Sequence, residues 1–234
     1  SNYNDDGEGI EGDADGWSAN YVDGLVLVDC VAHDNSEDGL DLTSNALLTN
    51  CRIYNHPGNN LKCWRRSGDG YAPKVVSAYG CCFWNSGERN IIATRCTEMH
   101  LYNCVVYNSG LDYPSEGILF SNPELMETTY STITNCIVAN STLEGVLCDA
   151  TGYSIVDCDH NLYHSNARSN KNLASDSNSV VSAPLFVAAD DGDFHLQSGS
   201  AAIDAGVVVD GYHNADTGED LADGKPWYGS APDI

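Results

Sequence analysis

Short apolar runs recur along the first two thirds of the chain, each ending in a small polar or turn residue and then a cysteine. They are Val26-Leu27-Val28-Asp29-Cys30, Leu47-Leu48-Thr49-Asn50-Cys51, Leu101-Tyr102-Asn103-Cys104, Thr132-Ile133-Thr134-Asn135-Cys136 and Ile155-Val156-Asp157-Cys158, with a looser copy at Tyr79-Gly80-Cys81-Cys82. A second apolar run follows at Gly39-Leu40-Asp41-Leu42, Asn60-Leu61-Lys62-Cys63, Asn90-Ile91-Ile92, Gly117-Ile118-Leu119-Phe120 and Gly145-Val146-Leu147-Cys148. Clusters of Asn, Asp, Ser and Gly such as His33-Asp34-Asn35-Ser36 and Tyr107-Asn108-Ser109-Gly110 separate them and supply turn chemistry. The runs are too short for amphipathic helices, so the pattern predicts at least two short strands per repeat.

The intervals from Cys30 to Cys51, Cys82 to Cys104 and Cys136 to Cys158 are 21, 22 and 22 residues, and the other two, 31 and 32, fit one period plus an insert. A period near 22 without helices excludes leucine-rich, ankyrin and tetratricopeptide repeats and predicts an all-β chain, a right-handed parallel β-helix of about six coils. Strands one coil apart lie roughly 4.8 Å apart, so equivalent residues stack into ladders. The cysteine ladder is expected to point inward, either as free thiols, each a compact apolar side chain, or as bridges, which the spacing of adjacent coils also allows. The period fades after residue 164. Residues 1–164 therefore read as coils. Residues 165–234 read as the last coil and an irregular C-terminal end of the same domain, which covers the open end against strand addition. Ser165 to Ser179 has the composition of a loop.

Charge narrows the function. Ten Lys and Arg against 34 Asp and Glu give a net charge of −24, which argues against nucleic acid and against anionic lipid surfaces. No stretch reaches the roughly 20 apolar residues needed for membrane insertion. With 42% hydrophobic and 19% charged residues over 234 positions, the composition suits one domain rather than a coiled coil or a disordered acidic tail. Ten cysteines without paired C-x-x-C spacing do not make a zinc site. The chain starts at Ser1 without Met, and a processed chain or a piece of a longer one is the expectation.

The period also stacks charges. Asp15 lies 22 residues before Glu37, and Asp41 lies 21 before Lys62. Alternation about the inward Leu40 and Leu61 puts Asp41 and Lys62 outside. Asp15, Glu37, Asp38 and Asp41 are thus expected on one outer face, with Lys62 one coil above Asp41. Such a set is either a solvated acidic turn or a site for Ca2+, which takes six to eight hard oxygen ligands. Lys62, Arg65 and Arg66 are three of only ten basic residues. The arginines either bind carboxylates or sulfates or simply neutralise nearby acids, and a lysine beside a dication has a lowered pKa that suits a general base. Trp64 and Trp84 offer sugar-stacking surfaces or ladder packing. Asp190-Asp191-Gly192-Asp193 and the acids from Asp210 to Asp223 lack an EF-hand frame, and His160 and His164 fall in an irregular stretch without metal-site meaning.

Asp13-Ala14-Asp15-Gly16-Trp17, Asn35-Ser36-Glu37-Asp38-Gly39-Leu40-Asp41-Leu42 and Gly58-Asn59-Asn60-Leu61-Lys62 resemble, in order, the A-D-G-F, N-S-D-D-G-x-D and G-N-G-F-K motifs of family 9 pectate lyases. Glu37 stands where that family has Asp, Asn60 where it has Gly and Leu61 where it has Phe. The resemblance implies Asp15, Glu37, Asp38 and Asp41 as calcium ligands, Lys62 as the catalytic base, and β-elimination on an acidic polysaccharide. Arg65, Arg66 and Trp64 would then be the substrate contacts. The C-terminal part is similar to the ending of secreted bacterial β-helix proteins, so a secreted or cell-surface setting is expected. Two other readings stand beside it. One is a non-catalytic extracellular β-helix, an adhesin, glycan-binding or filament subunit that self-associates head to tail through its coil ends. The other is a different enzyme of acidic polysaccharides, including a hydrolase with paired carboxylates.

Overall fold

The computed structural model describes residues 15–19, 24–64, 74–95, 97–121, 128–149, 154–209 and 231–234. The chain winds as a right-handed parallel β-helix with three parallel sheets. Sheet A stacks Trp17–Ala19, Leu40–Leu42, Leu61–Cys63, Ile91–Thr94, Ile118–Ser121 and Val146–Cys148. Sheet B stacks Leu25–Val28, Ala46–Thr49, Lys74–Tyr79, Thr97–Tyr102, Thr129–Thr134, Ser154–Asp159 and Ser175–Ser177. Sheet C stacks Val31–His33, Arg52–His56, Cys82–Ser86, Val105–Ser109, Ile137–Ser141, Leu162–His164 and Val180–Val181. Six full coils result. A seventh is completed on the sheet A side by the isolated bridges Glu144 to Arg168 and Leu147 to Lys171, so the loop-like stretch from Ser165 to Ser179 is part of a coil.

Each coil carries three strands, and the corner between sheets B and C spans only two residues. Asp29, Asn50, Gly80, Asn103 and Asn135 hold φ between 52° and 60°, and the chain re-enters a strand within two residues. Asn and Asp tolerate this left-handed conformation better than other residues with a side chain. The turn residue before each cysteine is therefore the corner itself, and the cysteine follows with its side chain inside.

The cysteine ladder differs from the even spacing of the sequence. Arg52 pairs with Cys82, which makes Cys81 the neighbour of Cys51, and Cys51 donates its N–H to Cys81 Sγ at 3.3 Å. Cys104 donates to Cys136 Sγ at 3.4 Å, and Cys136 in turn to Asn161 Oδ1 at 2.8 Å. Cys158 is not in this ladder. It pairs with Ile133 on the inner face of sheet B, three residues before the corner position that Asn161 fills. The nine described cysteines are free, with Cys51, Cys81, Cys104 and Cys136 buried.

The inner faces form one continuous apolar core. Leu40, Leu61, Ile91, Ile118 and Val146 stack along sheet A, each fully buried. Ile53, Phe83, Val106 and Val138 do the same along sheet C. At roughly 1.5–3 kcal/mol per buried large aliphatic or aromatic side chain, these columns dominate the stability of the coils.

Phe186–Ala188 and Asp193–Leu196 form an antiparallel hairpin that lies along the outer face of sheet C. Phe194 meets Trp84 and Tyr107 edge-on at 5.4 and 5.7 Å, and Arg52 donates to the Gly192 carbonyl. Gly192 has φ 74°, and a Cβ there would come within 2.9 Å of the Trp84 ring, so both the turn and the close approach need glycine. An aromatic stripe on sheet C is what draws the hairpin to the side. Asp210 to Asp223 lie outside the described residues. Among the described residues, no helix is long and apolar enough to cross a membrane.

Candidate functional site

The corner from sheet C to sheet A builds the site. Trp17 pairs with Leu40 and Leu40 with Leu61, and the residue two positions before each gives the stacked series Asp15, Asp38, Asn59. Asp15 is thus in register with Asp38 rather than with Glu37, and its Oδ1 accepts the Asp38 N–H at 3.3 Å. Asp38 lies in the turn before the strand and is only 2% exposed. Glu37 precedes it on the same turn, half-buried, and its carbonyl accepts the Gly58 N–H at 3.0 Å.

Asp41 and Lys62 are direct neighbours in sheet A, as the 21-residue interval predicts. Lys62 Nζ lies 2.9 Å from Asp38 Oδ2 and 3.2 Å from Asp41 Oδ2. Asp38 Oδ1 accepts the backbone N–H of Asn59 at 2.6 Å and its side-chain amide at 3.0 Å. Trp64, half-buried, donates its indole N–H to Asp41 Oδ1. In the next coil Ile92 occupies the register of Lys62, so the charged column on the outer face of sheet A stops there.

Two titrations follow from this crowding. Burial, reinforced by the charges of Asp38 and Asp41, pushes the Asp15 carboxyl up to about 6. Burial alone would lower Lys62, but Asp38 and Asp41 outweigh it and hold the ammonium above its ordinary range. As placed, the Asp38 and Asp41 carboxylates hold Lys62 as its ammonium.

Behind the site is a buried polar network that sequence reasoning did not single out. His56, 1% exposed, sets Nδ1 against Asn60 Oδ1 at 2.6 Å and Nε2 against the Asn35 side-chain amide at 2.9 Å. Only a neutral ring with its proton on Nδ1 satisfies both, and burial accordingly lowers the His56 pKa. Asn60, at the position where the resembled motif has Gly, is fully buried. It donates to the Trp84 carbonyl at 2.9 Å and to Asn90 Oδ1. The corner column then continues with charged residues, Arg89 Nε lying 2.8 Å from Glu116 Oε2 and Arg168 3.7 Å from Glu144. The 30-residue coil from Leu61 to Ile91 hides this continuation from a 22-residue alignment.

Of the other expected residues, Arg65 and Arg66 lie outside the described residues. Trp84 is 4% exposed, stacked on Tyr54 at 4.0 Å and covered by the C-terminal hairpin, so it packs and does not face solvent as a sugar platform. Asp193 pairs with His195 at 2.5 Å. Among the described residues, no group of three or more His, Cys, Asp or Glu side chains is placed to hold a metal ion. The donor set at Asp15, Asp38 and Asp41 suits a hard dication in kind, but as placed these carboxylates bond Lys62, Asn59, Trp64 and the backbone instead.

No family model matches the chain, and no curated protein matches it. Among solved structures, the chain is similar to the crystal structure of pectate lyase Pel9A, with a TM-score of 0.58 and 13% identity. The likeness covers 89% of this chain and 64% of that one, so the chain spans under two thirds of that structure's length. What the two share is the parallel β-helix. At 13% identity the likeness carries the fold and not the chemistry.

Proposed function

We propose that the chain is a polysaccharide lyase that cleaves a uronate-containing, pectate-like polymer by β-elimination with Lys62 as the base. The observation that carries this reading is the Lys62 ammonium held within 3.2 Å of Asp38 and Asp41, at the end of a charged column on an exposed sheet of a fold similar to that of a pectate lyase. Lys62 would take the proton at C5 of the uronate. The electron pair left there forms the C4–C5 double bond as the C4–oxygen bond breaks. A calcium ion held by Asp15, Glu37, Asp38 and Asp41 would supply positive charge for the substrate carboxylate and for the charge that develops at C5. Before Lys62 can take the C5 proton it must release its own ammonium proton to solvent, which requires Asp38 and Asp41 to turn from it to another cation, and for that reason the base and the acids belong to one unit. Arg65 and Arg66 are proposed to pair with neighbouring uronates, and the setting is extracellular, where such polymers occur.

A second reading has its own support. Lys62 is already satisfied by two carboxylates, and no three carboxylates among the described residues share a metal point. On that reading the ion pairs only fasten successive coils of a non-catalytic β-helix. Incubation with polygalacturonate, with and without calcium, decides between them through the absorbance of the unsaturated product. The lyase reading expects calcium-dependent product that drops by at least about 10²-fold in Lys62→Ala. No product on polygalacturonate or on a panel of other polyuronates would leave the structural reading.

A further inference from the structure

The two carboxylates around Lys62 divide their oxygens in the same way. Asp38 turns Oδ1 to the two N–H donors of Asn59 and Oδ2 to Lys62. Asp41 turns Oδ1 to the indole N–H of Trp64 and Oδ2 to Lys62. In each case a neutral donor fixes one oxygen, and the other is then aimed at the ammonium. Trp64 is itself held from its face, with the Arg95 guanidinium 5.6 Å from the ring centroid. That face is covered by Arg95, and the polar edge is engaged with Asp41.

We infer that Trp64 is a positioning residue that orients Asp41 so that Lys62 is shared between carboxylates of two successive coils, and that it is not a stacking platform for the sugar. Lys62 as the reactive group rests on the function proposed above; the positioning itself rests on the hydrogen bonds. Removing the indole N–H leaves the Asp41 carboxylate free to rotate, and a misplacement of about 1 Å in such a unit can cost about 10²-fold in rate.

Trp64→Phe keeps an apolar ring and deletes the donor. The decisive measurement is the rate at which an amine-reactive ester labels Lys62 in the full chain, read by peptide mass mapping in wild type, Trp64→Phe, Asp41→Asn and the double variant. Lys62 is expected to label several-fold faster in Trp64→Phe, as fast as in Asp41→Asn, with no further gain in the double variant because one contact is being removed twice. Unchanged labelling in Trp64→Phe, or additive gains in the double variant, overturns the inference, and so does an Asp41→Asn variant that labels like wild type. If Trp64→Phe fails to fold by circular dichroism, Trp64→His, which retains an N–H donor, is expected to stay protected, and fast labelling there overturns it. In turnover, Trp64→Phe should lower kcat about 10- to 100-fold with KM nearly unchanged, whereas a raised KM with unchanged kcat identifies stacking and overturns positioning. Labelling does not depend on turnover. A protected Lys62 in a wild-type protein that makes no product removes the proposed function and leaves the positioning role standing.

Discussion

Two corners of the same coil teach opposite uses of repetition. At the corner from sheet B to sheet C, five successive coils place a left-handed residue and then a cysteine, and four of those cysteines are buried thiols in one stack. At the corner from sheet C to sheet A, equivalent positions hold Asp15, Asp38, Asn59, Arg89, Glu116 and Glu144, so the residue and its charge change between Asp38 and Asn59, Asn59 and Arg89, and Arg89 and Glu116. The first corner always spans two residues between strands, whereas the second spans four to eight. A ladder of identical apolar residues only packs, while a ladder whose chemistry changes between coils roughly 4.8 Å apart sets unlike groups side by side. The candidate site lies where that ladder passes from Asp38 to Asn59, beside the Asp41 and Lys62 pair of sheet A.

The sharpest way to break the contrast is to put a charge into the uniform corner. Cys104 is 1% exposed, and its neighbours in the stack are thiols and backbone. Cys104→Asp would bury a carboxylate with no cation in reach, and a loss of more than about 4 kcal/mol is expected, enough to prevent folding of a marginal chain. Cys104→Ala removes only a small side chain and should cost about 1–2 kcal/mol. Urea unfolding of both variants checks the pair. Equal costs would show that the cysteine corner tolerates charge as the other corner does, and the distinction between them would be lost.

Legibility in the sequence follows the same division. The period, the inward Leu40 and Leu61 and the neighbouring of Asp41 and Lys62 could all be read, because the coil between them carries no insert and alternation fixes which side each residue faces. The third strand could not, since a two-residue corner leaves no polar gap to mark it. Cys158 took the place of Asn161 in the alignment because both sit near the end of a strand and only hydrogen-bond register separates them. Asp15 was matched to Glu37 one residue out of register, as the sequence shows the coil length only through cysteines on a different corner. Arg89 and Glu116 were hidden by inserts, and Trp84 by a hairpin that arrives from more than 100 residues away. Local pattern predicts what repeats, and register across inserts is a tertiary property.

A milder change sharpens the acidic corner. Asp15 has a folded-state pKa of about 6 against an ordinary 3.8, raised by burial and by Asp38 and Asp41. A raised pKa contributes stability that is fully present below about 3.8 and is lost as pH rises through about 6. At pH 7.5 the ionised Asp15 therefore opposes folding, although solvent at this half-buried position screens part of the effect. Asp15→Asn should raise Tm by about 2–4 °C at pH 7.5 and leave it unchanged near pH 3.5. Calcium bound as proposed would raise the wild-type Tm at pH 7.5 and narrow the gap to the variant. A variant that is stabilised equally at both pH values would mean that the carboxylates of this corner do not repel one another, which removes the electrostatic reason for a cation there.

The smallest expected effect tests the uniform corner at its turn. Asn50 has φ 52°, is exposed, and donates its N–H to the Tyr79 carbonyl at 2.9 Å. Asn50→Gly keeps the left-handed conformation without a Cβ and should change stability little, whereas Asn50→Ala should cost about 1 kcal/mol, measured as the shift in urea midpoint at constant slope. The other corner needs glycine for a different reason: a Cβ on Gly39 would meet the Asn60 carbonyl and Ile53 Cγ2 at 2.5 Å. One corner is thus limited by backbone conformation and the other by crowding. If Asn50→Ala proves as stable as Asn50→Gly, left-handed strain does not explain the Asn and Asp at this corner. Their side-chain hydrogen bonds, such as that from Asn135 to Asn103 at 3.4 Å, would then have to account for them.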